Sequence, residues 1–254
     1  MAMSYAVVQK ELTELPIDAL RRAFRHVPGL TALDAQVIGN DAFGILVKDF
    51  PLENATAMQG ALRGEGIETE IVETAQLPLM PPTKQLRRLG CSEAGLELFD
   101  PLGRSFVVAW QHVMLLAAGA VKTSEFVRKV EMKPVLSRGE DDVSNEGLEP
   151  EISYKEDRAV HLLLEIVMSR AVLRYSVVAD RFDFAYLGGR RTGNVPLDFV
   201  AMARDLASFA PHAGLNRGMS SLLEDRDTIF SYPTKNAFLE EIVWLLWRAS
   251  RPPA

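Results

Sequence analysis

Apolar residues recur along the chain with two spacings, and the change from one to the other marks the elements. The β-branched run "YAVVQ" (5–9) reads as a strand. Ile17, Leu20, Phe24 and Val27 then recur at helical spacing, while Arg21, Arg22 and Arg25 fall off that stripe, which predicts a helix over 16–27. "AQVIG" (35–39) reads as a second strand, Gly39-Asn40-Asp41 as a turn, and "AFGILVK" (42–48) as a third strand. A second helix follows Pro51, with Ala55, Met58 and Leu62 on its inner face and Gly64 or Gly66 to end it. "ETEIVET" (68–74) reads as the next strand.

The order strand, helix, strand, strand, helix, strand is two split strand–helix–strand units. It predicts a ferredoxin-like βαββαβ sandwich over residues 1–78, a four-stranded antiparallel sheet with two helices on one face. Three prolines in "LPLMPPT" (77–83) make an extended, semi-rigid stretch, and the domain boundary is placed there.

Residues 79–254 read as a strand-rich α+β domain closed by helices. "GLELF" (95–99) and "RSFVVAW" (104–110) flank Asp100-Pro101-Leu102-Gly103 as a hairpin. "VMLLAAGAV" (113–121) and "SEFVRKVEM" (124–132) read as two further strands, and 159–168 with 172–178 as another hairpin. Helices are predicted over about 196–210, with Phe199, Met202, Leu206 and Phe209 inward, and over about 236–249. Between the halves of this domain, "GEDDVSNEGLEPE" (139–151) holds six acidic residues and no basic one, so a mobile acidic loop is expected over 137–157. Strand order and the closing helix make this second domain resemble a pleckstrin-homology-like roll. In overall layout the chain resembles bacterial two-module proteins of unassigned activity, a likeness of element pattern that implies nothing about mechanism.

Composition narrows the classes. The chain has 254 residues, 48% hydrophobic and 24% charged, as ordinary globular domains do. A net charge of −6 argues against nucleic acid or an anionic membrane held by bulk electrostatics. The N-terminal 80 residues carry six basic against eleven acidic side chains. That counts against an RNA-recognition module despite the shared strand order and the exposed aromatic Phe43. The one cysteine, Cys91, excludes an intramolecular disulfide and fits a reducing compartment. The N-terminus shows no secretory pattern, and "IVWLLW" (242–247) is far short of a membrane span. A cytoplasmic location is expected.

Candidate chemistry is sparse. "RFDFAYLGGRRTGNVPLDF" (181–199) has glycines, arginines and a helix start, as a phosphate cradle needs. Yet Asn194 stands where a P-loop has its lysine, Arg190 where a dinucleotide loop needs glycine, and Asp198 would repel an anion. A turn with Asn194 as N-cap and Pro196 in the first helical turn accounts for the same residues. If an anionic ligand is held, Arg190, Arg191 and Thr192 would bind it, aided by His212. Asp142, Ser144, Glu146 and Gly147 imitate half a calcium loop, but Ser153 stands where the bidentate glutamate belongs. His26, His112, His161 and His212 are scattered, and no serine sits on a nucleophile elbow. Cys91 follows Arg87 and Arg88, yet reads as a plain thiol. Trp244 and Trp247 lie on a helix apolar nearly all round, which is either core or a contact with a partner or a second copy. No cofactor, metal or catalytic residue is expected. A non-catalytic regulatory or assembly protein that binds a protein or peptide partner fits best, with an anionic-ligand sensor, or an enzyme whose site is assembled from distant loops, as the alternative.

Overall fold

The computed structural model describes residues 3–99, 102–134, 148–169, 172–224 and 229–251, and within them the chain is mixed α+β. β1 (Tyr5–Gln9) is the central strand of the first sheet, antiparallel to β2 (Ile45–Phe50) on one side and β3 (Thr69–Glu73) on the other. α1 (Ile17–Phe24), α2 (Ala32–Asp41) and α3 (Leu52–Gly64) cover one face. Leu20, Phe24, Ala35, Met58 and Leu62 there enclose Val7 and Leu46.

Residues 35–39, expected as a strand, belong to α2, so the expected ferredoxin-like order is corrected to β-α-α-β-α-β around three strands. A capping box starts the helix. The Thr31 hydroxyl accepts from the Asp34 amide, and the Asp34 carboxylate accepts from the Thr31 amide at 2.7 Å. Ala35 alone of this helix is buried, and Val37 faces outward. Its β-branched side chain therefore carries no packing signal.

The large sheet is built on β8 (Val113–Pro134) and β9 (Leu148–Met168), one antiparallel ladder from Val113↔Met168 to Pro134↔Leu148. The two strands expected at 113–121 and 124–132 are thus one. Residues 148–157 of the expected acidic loop belong to β9, and 137–147, with the calcium-like positions, lie outside the described residues. β10 (Arg174–Val178) pairs with β9 as the predicted hairpin, and β4 (Thr83–Leu86) adds in parallel to β10. On the other edge β8 takes two short strands, β11 (Gly214–Leu215) and β12 (Ser231–Tyr232). A separate antiparallel sheet joins β5 (Leu89–Ser92), β6 (Gly95–Phe99) and β7 (Ser105–Val108), with the predicted β6–β7 hairpin.

Strand alternation gives the large sheet two apolar faces. Leu116, Ala118, Leu164 and Ile166 face Phe199, Met202 and Leu206 of α4 (Val195–Phe209). Leu115, Ala117, Leu163 and Val167 face Phe238, Ile242 and Leu246 of α6 (Lys235–Ala249). The opposite side of α6, with Val243, Trp244 and Trp247, packs on Ala6, Val8 and Ile45 of the first sheet. α6 is therefore a wedge between two sheets, which explains a helix apolar nearly all round. Lys48 Nζ pairs with Glu240 of α6 at 2.7 Å on its margin.

Candidate functional site

The loop before α4 does hold an anion, and that anion is the chain's own carboxylate. Asp198, in the first turn of α4, accepts from the Thr192 amide at 2.7 Å, the Thr192 hydroxyl at 2.8 Å and the Gly193 amide at 3.2 Å. Asn194 caps the helix, its side chain accepting from the Leu197 amide at 3.2 Å. Gly188 and Gly193, at φ 55° and 78°, allow the chain to turn. The donors an external phosphate would use are occupied. Hydrogen bonds from Thr192, its amide first, hold the Asp198 carboxyl below the usual aspartate range.

The basic residues of this loop are likewise paired inward. Arg190 makes a forked contact with Asp205 of α4 at 2.8 and 2.7 Å, and Arg191 lies 3.8 Å from Asp183 and 4.0 Å from Asp198. His212 is exposed in the turn after α4, and no hydrogen bond or ion pair among the described residues joins it to Arg190, Arg191 or Thr192. Trp244 and Trp247 are only 7% and 4% exposed, buried against the chain's own first sheet. Cys91 is also enclosed. Burial, with Asp205 nearby, pushes its thiol up to about 12, the opposite of the activation that neighbouring arginines give a thiol.

A second polar cluster lies deeper and was not legible in the sequence. Asn216 precedes α5 (Arg217–Leu223), and its amide side chain occupies a position on the edge of β8 between β11 and β12. Its Oδ1 accepts from the Ala118 amide at 2.9 Å and its Nδ2 donates to the Ala118 carbonyl at 3.0 Å, so a side chain completes the ladder. Asn216 Nδ2 also donates to the Tyr232 hydroxyl at 2.8 Å, which in turn donates to Glu241 Oε2 at 2.6 Å. Glu241 is fully buried and accepts from the Arg217 amide at 2.8 Å. Burial, then the Glu241 carboxylate, drives the Tyr232 hydroxyl above its ordinary range. The Arg217 guanidinium lies 4.4 Å from the Phe43 ring centroid and 5.1 Å from that of Phe230. These hydrogen bonds tie α5, α6, β8 and β12 together, while the Arg217 Nε, 3.7 Å from Glu241 Oε2, is buried without a hydrogen-bond partner. His112 lies 3.4 Å from the Ser169 hydroxyl, and His161 bonds Asp180 at 3.0 Å. Among the described residues, no three His, Cys, Asp or Glu side chains gather as a metal site requires.

A second feature of the fold is a backbone ladder. β12 pairs with β8 as far as Val121, and β10 pairs with β9 as far as Leu163. From Lys122↔Val160 to Pro134↔Leu148 the two strands pair only with each other among the described residues. At about 3.3 Å per residue this ribbon is about 40 Å long. Its sequence signal was the apolar–polar run continuing past Lys122, which a strand end placed at Val121 had cut in two.

No protein family, curated protein or solved structure matches this chain. No helix among the described residues is long and apolar enough to cross a membrane.

Proposed function

We propose that the protein is a non-catalytic interaction or assembly module that takes a protein or peptide partner by strand addition along the β8–β9 ribbon. One observation carries this reading: a long ladder whose two outer edges have no neighbouring strand among the described residues. A two-stranded ribbon is marginal in water by itself, and a third strand adds main-chain hydrogen bonds along its whole length. Proteins ordinarily shorten or cover such edges, because a bare one recruits other strands. The strand-rich region closed by α6 acts here as a roll-like scaffold that holds the root of the ribbon. The N-terminal sheet braces that scaffold through α6. A single cysteine suits a cytoplasmic setting, and a net charge of −6 favours a protein partner over nucleic acid. A second copy of the chain is one such partner.

A photo-crosslinking residue placed at Lys129 or Ser153, one on each strand of the ribbon, tests the reading against the same residue at Arg63 on α3. After irradiation in native extract, the ribbon positions should yield a defined adduct, to another protein or to a second copy, that Arg63 does not. Equal or absent adducts from all three positions would refute it.

A further inference from the structure

At the root of the ribbon lies a cleft of about 380 Å³. Thr123 of β8 and His161 of β9 form one wall, where the paired strands leave the body of the sheet. Arg87, just after β4, Arg181, just after β10, and Lys235, the first residue of α6, complete it. None of these three cations has an ion-pair or hydrogen-bond partner for its side chain among the described residues. Among the described residues, no carboxylate lines the cleft. The acidic groups close by are engaged elsewhere. Asp180 holds His161 Nδ1 at 3.0 Å, and Glu165, which feels the Lys235 charge, pairs with Arg174 at 2.7 Å.

We infer that this cleft binds a phosphate monoester. Among the described residues Arg87, Arg181 and Lys235 have no ion-pair partner, Lys235 acting on Glu165 only through its field, and three such cations around one cavity favour a dianion over a single carboxylate. Two of them are arginines, whose forked donors match phosphate oxygens. Lys235 stands at the start of α6, where the helix dipole adds to its charge. The Asp180 contact fixes the His161 ring and leaves Nε2 for a second partner. Gln85 supplies a neutral donor, while the Thr123 hydroxyl donates to the Ala159 carbonyl at 3.4 Å and offers its lone pairs. Leu163 and Val178 line the same space, so the cavity offers apolar surface to a small organic group and is not a bare ion site. The site is separate from the loop at 188–194, where Asp198 and Asp205 already satisfy the basic residues and amides. Among the described residues it meets the ribbon only at Thr123, at its base, so it is tested separately from strand addition along the rest of the ladder.

Isothermal titration in a low-salt, phosphate-free buffer tests it, with AMP, glycerol phosphate, inorganic phosphate and succinate as probes. A monoester should bind saturably and more tightly than succinate. The Arg87→Gln, Arg181→Gln double variant, exposed at both positions, should keep its fold by circular dichroism and bind roughly tenfold or more weakly, while Arg190→Gln binds as the native chain does. Failure of both monoesters to bind, equal binding by the double variant, or succinate binding as well as the monoesters would each overturn the inference.

Discussion

The Trp244 indole N–H donates to the Gln9 carbonyl at 2.8 Å, joining the last helix to the first strand. Gly44 lies directly beneath the ring. A Cβ there would come within 2.3 Å of Trp244 Cγ, and the residue sits at φ 87°. Gly44→Ala should therefore cost about 2–4 kcal/mol, from steric displacement of the ring and from a backbone conformation that alanine resists. Trp244→Phe keeps most of the apolar body and loses the hydrogen bond, for about 1–2 kcal/mol. Urea unfolding of both variants checks the order. A Gly44→Ala protein as stable as the native chain would mean that α6 is not wedged as described.

Asn216 substitutes for a strand residue opposite Ala118. Asn216→Ala should leave the Ala118 amide and carbonyl and the Met219 amide without their partner, in a site where water cannot readily replace it. The expected cost is about 2–4 kcal/mol. Gly218→Ala should be comparably severe, because a Cβ at that position would fall 1.7 Å from the Ala118 carbonyl oxygen. Thermal unfolding, with hydrogen exchange at Ala118, reads both.

The sequence showed the helical stripes of α1, α3, α4 and α6 because each is built from large apolar residues that face a core. It misled at α2, where Leu33 and Val37 are exposed and the helix is set by the Thr31–Asp34 capping box. That box was present in the sequence as Thr-x-x-Asp, outweighed by the β-branched run beside it. The all-round apolar face of α6 was legible. What covers it was not, because Ala6, Val8 and Ile45 lie some two hundred positions away. The loop at 188–194 carried phosphate-binding residue types, but spacing alone could not show Asp198 folding back to fill it. The cleft escaped notice for the same reason: Arg87, His161, Arg181 and Lys235 come from four separated segments.

Acid should loosen the start of α4. The Asp198 carboxyl titrates below the ordinary aspartate value because its charged form is hydrogen-bonded by Thr192 and Gly193. Its contribution is fully present above the unfolded-chain value, about 4, and is lost as pH falls through the lower folded value. Urea midpoints should fall as pH drops from 5 towards 2. Asp198→Asn should be less stable than the native chain at pH 7 and lose less on acidification. An identical pH dependence in both proteins would contradict this assignment.

Cys91 should resist thiol reagents in the folded protein. With its thiol pushed up to about 12, the thiolate is scarce at pH 8, and the side chain packs against the core beneath α4. Labelling by a maleimide at pH 8 should be slow in buffer and rapid in denaturing urea. Rapid labelling of the folded chain would show the site to be more open than described.

The most direct test removes the ribbon. Thr123 and Ala159 face each other in register, so residues 124–158 can be replaced by an Asn-Gly turn between them. The shortened protein should keep a cooperative melt within roughly 5 °C of the native one, since the apolar clusters lie in the body of the fold, and it should lose the partner that the intact chain retains. A shortened protein that still binds the partner as tightly, or one that no longer folds, would contradict the account.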